Sequence, residues 1–193
     1  DNTITSVINN EEIIFNLHDT ASHKLVNALI LLITLTKLEF DIEYIINKVE
    51  TFKAPAGRGE QTILSNNTTL FDESYNANPL SMQKALESFK QLAKNKKIAI
   101  LGDMLELGPD EKLLHKQLAS SLNNIDTIYT VGSLMEYLSD ELENKQANSK
   151  HFSTIEELLE FIKLKDFSNC DIIVKGSKGS KVSQAVELLK KDN

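Results

Sequence analysis

The sequence of 193 residues predicts an α/β protein whose main part is a mostly parallel, doubly wound sheet. Short apolar runs, such as 97–101 and 127–131, alternate along residues 70–193 with segments whose apolar side chains recur at helical spacing. Each run is apolar at nearly every position, which is typical of a strand covered by helices on both faces. Repeated strand–helix–strand units need right-handed crossovers, so the strands are expected to pair mostly in parallel.

The elements near the start of the chain follow a helical pattern. The apolar run Leu25–Leu38 contains four polar residues and is too short to span a bilayer, so it predicts a buried helix. Asp41 can cap a second helix, because the apolar positions behind it, which end at Val49, form one stripe. We therefore expect a helical pair between about residues 23 and 52.

The chain changes character after this helical pair. Residues 54–59, with the sequence Ala-Pro-Ala-Gly-Arg-Gly, concentrate helix breakers. The β-prone stretches 61–64 and 68–71 then flank a polar turn, which predicts a hairpin or a domain junction. We place the boundary between the two parts of the chain after residue 69.

Caps and strand ends mark the elements of residues 70–193. Asn78 is a capping residue followed by proline at the first helical position, Pro109 opens a further helix, and Ser153–Glu156 matches a capping box. The apolar stripe behind Pro109 is expected at Leu113, Leu114 and Leu118. The strands are predicted at 97–101, 127–131 and 172–174, and the last helix at 182–189.

Composition argues against several classes of function. A net charge of −7 provides no overall attraction for nucleic acid or for an anionic membrane surface. One cysteine cannot form an internal disulfide, and the four histidines lack metal-ligand spacing, so we predict a cytoplasmic protein without a metal site of its own. The chain begins without methionine or a signal sequence, so we expect it to start inside a longer gene product.

Common nucleotide and hydrolase motifs do not occur in the sequence. It contains no G-x-x-x-x-G-K-[ST], G-x-G-x-x-G or G-x-S-x-G pattern, and the glycines and lysines of residues 176–181 do not have the spacing of a P-loop. The chain therefore carries no P-loop of its own.

Polar residues gather where the predicted strands end. These loops are 72–78, 102–104, 132–133 and 175–179. The carboxyl ends of parallel strands share one edge, and open sheets bind ligands at that edge, so four such loops predict a binding site. The alternative is that the loops are polar only because they turn at the surface.

Four further side chains are candidates for function or for packing. His23 opens the first helix with Asn27 one turn later on the same face, which fits a capping role or a ligand contact. Arg58, the only arginine, lies between two glycines and presents a planar charged group suited to a phosphate, a nucleotide or a carboxylate. His115 lies in a charged helix and is expected to be at the surface or partly buried.

Three motifs of the sequence resemble one family. They are Phe71–Pro79 followed by Ser81-Met82, Leu101–Gly108, and Val174–Ser177. With His23, Asn27 and Gly57–Glu60 upstream, they resemble the Mur ligase family, and within it the members that add D-alanyl-D-alanine. The resemblance covers nearly the whole chain.

The resemblance implies an ATP- and Mg²⁺-dependent ligase of peptidoglycan precursor synthesis. Mur ligases phosphorylate the carboxylate of a UDP-linked peptide, and the incoming amine attacks the acyl phosphate. The implied substrates are UDP-N-acetylmuramoyl-tripeptide and D-alanyl-D-alanine. By the same resemblance, residues 1–69 are the closing part of the central ATP-binding domain and residues 70–193 are the Rossmann-like C-terminal domain.

The resemblance also implies roles for single residues. His23 and Asn27 resemble nucleotide contacts, and Arg58 resembles the arginine that reaches ATP after domain closure. Asp72 and Glu73 stand at the family's acidic position near the nucleotide, and either of them could take the catalytic role. The candidates for the dipeptide pocket are Asn76, Asn78, Asp103, Lys175 and Ser177.

The chain lacks parts that ligation requires in this family. The P-loop, the magnesium ligands of the central domain and the UDP-binding domain are missing, so we predict that the chain alone does not catalyse ligation. The alternatives are a sister Mur or folylpolyglutamate-type ligase and a free-standing, non-catalytic binding module. An in-frame P-loop domain encoded upstream would favour a ligase over the module.

Overall fold

The computed structural model describes residues 3–8, 10–17, 22–52 and 55–191. The chain forms two compact units, Asp1–Lys53 and Ala54–Asn193. Among the residues that the structure describes, no helix has the length and apolar character needed to cross a membrane.

The first unit combines a strand hairpin with two helices. Its elements are β1 (Thr3–Ile8), β2 (Glu11–Asn16), α1 (Ser22–Lys37) and α2 (Ile42–Thr51). The predicted helical pair is confirmed, and Asp41 caps α2 by accepting a hydrogen bond from the Tyr44 amide at 2.8 Å. The antiparallel pair β1–β2 is an addition to the predicted elements. Phe15, Leu32 and Ile45 are the most deeply buried side chains of this unit.

The prediction that the first helix is buried is wrong. Leu32 is the one fully buried side chain among the described side chains of α1, whereas Val26, Ile30 and Ile33 each expose about half of their surface. The apolar residues surround this helix instead of forming one stripe, so a single packed face covers only some of them.

The second unit is a six-stranded sheet with helices on both faces. Its strands are β3 (Glu60–Leu64), β4 (Thr68–Glu73), β5 (Lys96–Gly102), β6 (Thr127–Val131), β7 (Ser149–Phe152) and β8 (Cys170–Lys175). Its helices are α3 (Pro79–Leu92), α4 (Glu111–Gln117), α5 (Met135–Asn144), α6 (Ile155–Leu164) and α7 (Ser183–Lys191). Short 3₁₀ turns lie at Gly108–Asp110, Leu118–Leu122 and Lys178–Ser180.

The strand order of this sheet is β3-β4-β8-β5-β6-β7. All neighbouring strands pair in parallel except β3, which is antiparallel to β4, so the predicted fold class is confirmed. The helices α3, α4 and α5 lie on the side of one apolar cluster, and α6 and α7 pack into the cluster on the other face. After β8 the chain therefore continues on one face of the sheet, whereas after β4 and β5, the two neighbours of β8, it continues on the other face. Such a reversal opens a crevice at the carboxyl ends of the strands.

The hairpin β3–β4 is confirmed, and it belongs to the second unit. Leu64 pairs with Thr68 across the turn, and Glu60 pairs with Asp72 at the far end. The predicted boundary after residue 69 falls within β4, whereas the two compact units divide after Lys53. The difference arises because the backbone hydrogen bonds of β3 go to β4.

One predicted helix cap is confirmed, and another differs from the prediction by one residue. Asn78 caps α3 in a capping box with Ser81, as its position indicated. The cap of α6 is Thr154 and not Ser153, since the Thr154 hydroxyl accepts from the Glu157 amide. Of the stripe predicted behind Pro109, Leu113 is exposed and Leu114 half-buried, whereas Leu118 is buried as predicted, together with His115 and Ala119. The elements α5 and β7 were not predicted.

Candidate functional site

The carboxyl edge of the second unit brings the predicted loops together. In the register of the sheet, Glu73 at the end of β4 pairs with Lys175 at the end of β8, and Lys175 pairs with Leu101 of β5. The loops that follow these strands therefore start side by side. We use the name carboxyl edge for the loops 72–78, 102–108 and 175–180.

Lys175 is the most unusual charged residue at the carboxyl edge. Its side chain is 4% exposed, and its ammonium group donates a hydrogen bond to the Asn76 carbonyl at 2.9 Å. The Glu73 carboxylate lies 3.9 Å from the same nitrogen. Burial lowers the pKa of Lys175, Glu73 opposes that shift, and the positive charge of Arg58 adds to it.

The two adjacent acidic residues have different surroundings. Asp72 is buried, and its Oδ1 accepts hydrogen bonds from the amide and the hydroxyl of Ser74, at 3.1 and 2.6 Å. Glu73 points to the other side of the strand, where it lies beside Lys175. The geometry therefore commits Asp72 to the turn at Ser74 and leaves Glu73 beside the buried ammonium group.

Arg58 is held on an exposed aromatic ring. Its guanidinium carbon lies 4.3 Å from the centre of the Tyr75 ring, within the range of a cation–π contact. The loop approaches Tyr75 closely because Gly57 has φ = +78°, and a Cβ there would lie 2.8 Å from the Tyr75 nitrogen. The Tyr75 amide donates to the Gly57 carbonyl at 3.1 Å. Arg58 itself is exposed and available to a ligand.

The two predicted asparagines lie in the loop after β4, and both are exposed. The Asn78 Oδ1 accepts from the Ser81 amide at 2.8 Å and so is committed to the start of α3. The Asn76 Oδ1 accepts from the Ala77 amide at 2.9 Å, while its carbonyl binds Lys175.

Asp103 anchors the start of α5. Its buried Oδ1 accepts hydrogen bonds from the amides of Leu134 and Met135, at 3.1 and 2.8 Å. The carboxyl group lies directly against Gly132, where a Cβ would overlap it. Burial raises the pKa of Asp103, and the two amide hydrogen bonds partly offset that rise.

Ser177 connects three loops of the carboxyl edge. Its buried hydroxyl accepts from the Leu105 amide at 2.9 Å and donates to the Ala77 carbonyl at 3.2 Å. Its own amide donates to the Asp103 carbonyl at 2.9 Å. Ser177 therefore fixes the loops after β4, β5 and β8 relative to one another.

The prediction that His115 lies at the surface or is only partly buried is wrong. His115 is fully buried, and its ring nitrogens contact the Met104 amide and the Glu111 carbonyl. The available signal was spacing, because residues 115, 118, 119 and 122 follow the i, i+3, i+4, i+7 pattern of a buried stripe.

The structure thus brings part of the predicted set together. Arg58, Glu73, Asn76 and Lys175 form one group, and Asp103 and Ser177 are neighbours in a second one. Asn27 lies exposed on α1 in the first unit, and the side chain of His23 lies outside the described residues. Among the described residues, no three His, Cys, Asp or Glu side chains are grouped as a metal site would need.

Comparison with known proteins identifies related sequences. The family model described as "Mur ligase, glutamate ligase domain" matches residues 57–179. The UDP-N-acetylmuramoyl-tripeptide--D-alanyl-D-alanine ligase of Rickettsia prowazekii is 35% identical over 150 residues, which are 76% of this chain and 33% of that protein. The chain thus spans about a third of the length of this relative.

Solved structures share the fold. MurF from Acinetobacter baumannii superposes with a TM-score of 0.83 at 22% identity, covering 97% of this chain and 45% of that one. MurF ligase from Thermotoga maritima in complex with ADP gives a TM-score of 0.78 at 20% identity, covering 98% of this chain and 43% of that one. At these identities the likeness establishes the fold alone.

Proposed function

This chain belongs to the Mur ligase family, and from that premise we propose that it is the part of a UDP-N-acetylmuramoyl-tripeptide:D-alanyl-D-alanine ligase that receives the dipeptide. One observation carries the proposal. The matched residues 57–179 include nearly the whole carboxyl edge, and a relative with 35% identity bears this ligase name. The reaction would take place in the cytoplasm during the synthesis of peptidoglycan precursors.

The proposed reaction forms one amide bond. The γ-phosphoryl group of ATP passes to the carboxylate of the tripeptide, the amine of D-alanyl-D-alanine attacks the acyl carbon, and inorganic phosphate leaves with the C–O bonding electrons. The amine must lose a proton, and its attack needs a fixed orientation relative to the acyl group. Supplying that orientation is the role that we assign to this chain.

Charge at the carboxyl edge supports the binding of a zwitterionic dipeptide. Lys175 contributes a buried ammonium group, Glu73 lies beside it, and the exposed amide of Asn76 belongs to the same loop system. We infer that the positive charge of Lys175 attracts the dipeptide carboxylate and that Glu73 faces its amine. Asp103 and Ser177 contribute by holding the loops, and Asn78 by starting α3.

The residues that the structure describes fit a contact to ATP but do not form a magnesium site. The exposed guanidinium of Arg58, held on Tyr75, suits a phosphate oxygen, and we propose His23 and Asn27 for the nucleotide as well. When bound, ATP supplies the phosphoryl group that activates the carboxylate. The described residues offer no group of Mg²⁺ ligands, so we assign no magnesium contact and no step through the metal to them.

Binding of the dipeptide to the 193-residue chain tests the proposal. We expect D-alanyl-D-alanine at millimolar concentration to shift the amide NMR signals of loops 72–78, 102–108 and 175–180. L-alanyl-L-alanine is the stereochemical control and should leave them unchanged. Lys175→Met should abolish the shifts, whereas Lys165→Met, a change at an exposed lysine outside the carboxyl edge, should preserve them.

Two results would contradict the proposal. Absence of any shift with D-alanyl-D-alanine would remove the assigned dipeptide site. Shifts produced by free L-glutamate or by L-lysine, and not by the dipeptide, would instead identify a sister ligase of the same family.

A further inference from the structure

His115 is a fully buried imidazole whose two nitrogens are both engaged. Its Nδ1 lies 2.6 Å from the Glu111 carbonyl oxygen, and its Nε2 lies 3.0 Å from the Met104 amide nitrogen. A carbonyl oxygen can only accept, and an amide N–H can only donate. The ring is therefore neutral, with its proton on Nδ1 and its lone pair on Nε2.

The acceptor on Nε2 matters because the Met104 amide has no access to water. Met104 itself is fully buried, and a buried amide that loses its partner is costly to the fold. Met104 follows Asp103 directly and precedes Leu105, so the imidazole fixes the backbone between two residues that contact other loops.

A series of hydrogen bonds links the backbone held by His115 to other loops of the carboxyl edge. The Leu105 amide donates to the Ser177 hydroxyl at 2.9 Å, and that hydroxyl donates to the Ala77 carbonyl at 3.2 Å. Ala77 lies in the loop after β4, between the predicted dipeptide contacts Asn76 and Asn78. We call Ala77, Met104, Leu105, His115 and Ser177 the interloop network.

The network reaches the charged group at the same edge. The loop that contains Ala77 also contains the Asn76 carbonyl, which accepts from Lys175 at 2.9 Å. A shift of the loop after β5 would therefore move the hydrogen-bond partners of Ser177 and, through Ala77, the loop that holds the Lys175 ammonium group.

We propose that His115 is a positioning residue for the dipeptide site, acting through the Met104 amide to hold the three loops of the interloop network in register. This inference rests on the proposed function for the identity of the ligand. The geometric part of the inference, that the loop after β5 depends on the Nε2 acceptor, does not require the proposed function.

Three substitutions distinguish the hydrogen bonds made by the two ring nitrogens of His115. In His115→Gln the side-chain oxygen can replace Nε2 as the acceptor for Met104. In His115→Asn the shorter amide can replace the Nδ1 donor to Glu111 but does not reach Met104. His115→Leu removes both hydrogen bonds while it keeps an apolar side chain of similar volume.

Hydrogen exchange in the 193-residue chain measures the effect on the loop. We expect the Met104 and Leu105 amides to exchange about tenfold faster in the Asn and Leu variants, relative to the Ile173 amide in the centre of the sheet. The Gln variant should keep the ratio of the unsubstituted chain. Equal ratios in the Gln and Asn variants would overturn the proposal, because only the Gln side chain keeps an acceptor at the position of Nε2.

A second measurement keeps the proposal testable if the variants fail to fold. Nitrogen-15 NMR of the unsubstituted chain reports which ring nitrogen carries the proton. A proton on Nδ1 is expected, and a proton on Nε2 would contradict the assigned acceptor.

Titration with D-alanyl-D-alanine links the loop to the ligand. We expect the Asn variant to bind the dipeptide at least about tenfold more weakly than the Gln variant. Equal affinities despite faster exchange would overturn the positioning role. If the unsubstituted chain does not bind the dipeptide at all, the proposed function fails, while the exchange ratios still decide whether His115 holds the loop.

Discussion

The side chain of Lys175 is 4% exposed, and its ammonium group meets one carbonyl oxygen and a carboxylate at the edge of contact distance. Burying a charge with so few partners destabilises the folded state. The lowered pKa of Lys175 expresses that cost, since the folded protein releases this proton more readily than the unfolded chain does.

Lys175 gives a prediction about alkaline pH. Between the lowered pKa of the folded state and the ordinary lysine pKa, the unfolded chain binds more protons, so the contribution of Lys175 to stability rises with pH. Urea denaturation between about pH 7 and about pH 10 should therefore show the native chain gaining stability relative to Lys175→Met. The exposed Lys178→Met is the control and should run parallel to the native chain. A constant difference between the native chain and Lys175→Met would contradict the prediction.

Asp103 gives a prediction of opposite sign at acidic pH. Burial raises its pKa, so between the ordinary aspartate pKa and the higher value of the folded state the native protein binds more protons than the unfolded chain. The contribution of Asp103 to stability therefore falls as the pH rises through that window. Asp103→Asn keeps an oxygen for the Leu134 and Met135 amides and should remove the fall, as measured by thermal unfolding across the window.

Asp140 provides the matched control for Asp103, because it lies exposed in the body of α5. Asp140→Asn should leave the pH dependence of the native chain intact. If Asp103→Asn and Asp140→Asn gave the same profile, the buried carboxyl group would not be the source of the effect.

Single residues differ in how far their roles could be read from the sequence. The cap at Asn78 depends on neighbours three residues away, so local spacing was enough to find it. The partners of Asp103 lie at the start of α5, at Leu134 and Met135, and only folding brings them together. The different surroundings of Asp72 and Glu73 likewise depend on β8, which supplies Lys175 beside Glu73.

Helix α3 follows directly from the loop after β4, so its cap links an element to the site. Asn78→Ala removes the acceptor for the Ser81 amide, and the loss should cost about 1 kcal/mol of unfolding free energy. For a chain of this size that corresponds to about 2–4 °C in Tm. Thermal unfolding followed by circular dichroism measures it.

Asn76→Ala is the control for the α3 cap, since Asn76 is exposed and its Oδ1 accepts only from the next amide. If Asn76→Ala lowered the unfolding free energy as much as Asn78→Ala does, the loss would come from changing the loop and not from removing the cap.

The elements that escaped prediction have weak local patterns. The strand β7 has four residues, of which only Phe152 is buried, so no alternation could be recognised. Helix α5 carries Met135, Leu138 and Leu142 at helical spacing, but the polar Ser139 completes its buried stripe. Helix α1, in contrast, has a strongly apolar sequence. Such a sequence does not indicate how much of the helix surface the fold will cover.

At the scale of the whole molecule, the apolar clusters do not cross between the two units. The buried members of the two clusters on the sheet come from residues 64–189, and those of the third cluster come from residues 8–49. Each unit therefore has a core of its own, which is the usual condition for independent folding.

We predict that residues 54–193 fold when expressed alone. The fragment should unfold cooperatively in urea, and its amide NMR signals should match those of the same residues in the 193-residue chain. A fragment that lacks dispersed signals, while the 193-residue chain shows them, would contradict the prediction.

The arrangement of the sheet was only partly accessible from the sequence. Strand–helix alternation predicted parallel pairing, and the pairings of β4, β5, β6, β7 and β8 confirm it. The insertion of β8 between β4 and β5 could not be predicted, because no local pattern specifies which strands become neighbours.

That insertion has a consequence for how the chain is made. The strands β4 and β5 leave the ribosome before β8, the strand that joins them. Until then two strand edges stay unpaired, and unpaired edges are templates for aggregation. Translation that stops before Cys170 would leave the sheet without β8 and the carboxyl edge without Lys175 and Ser177.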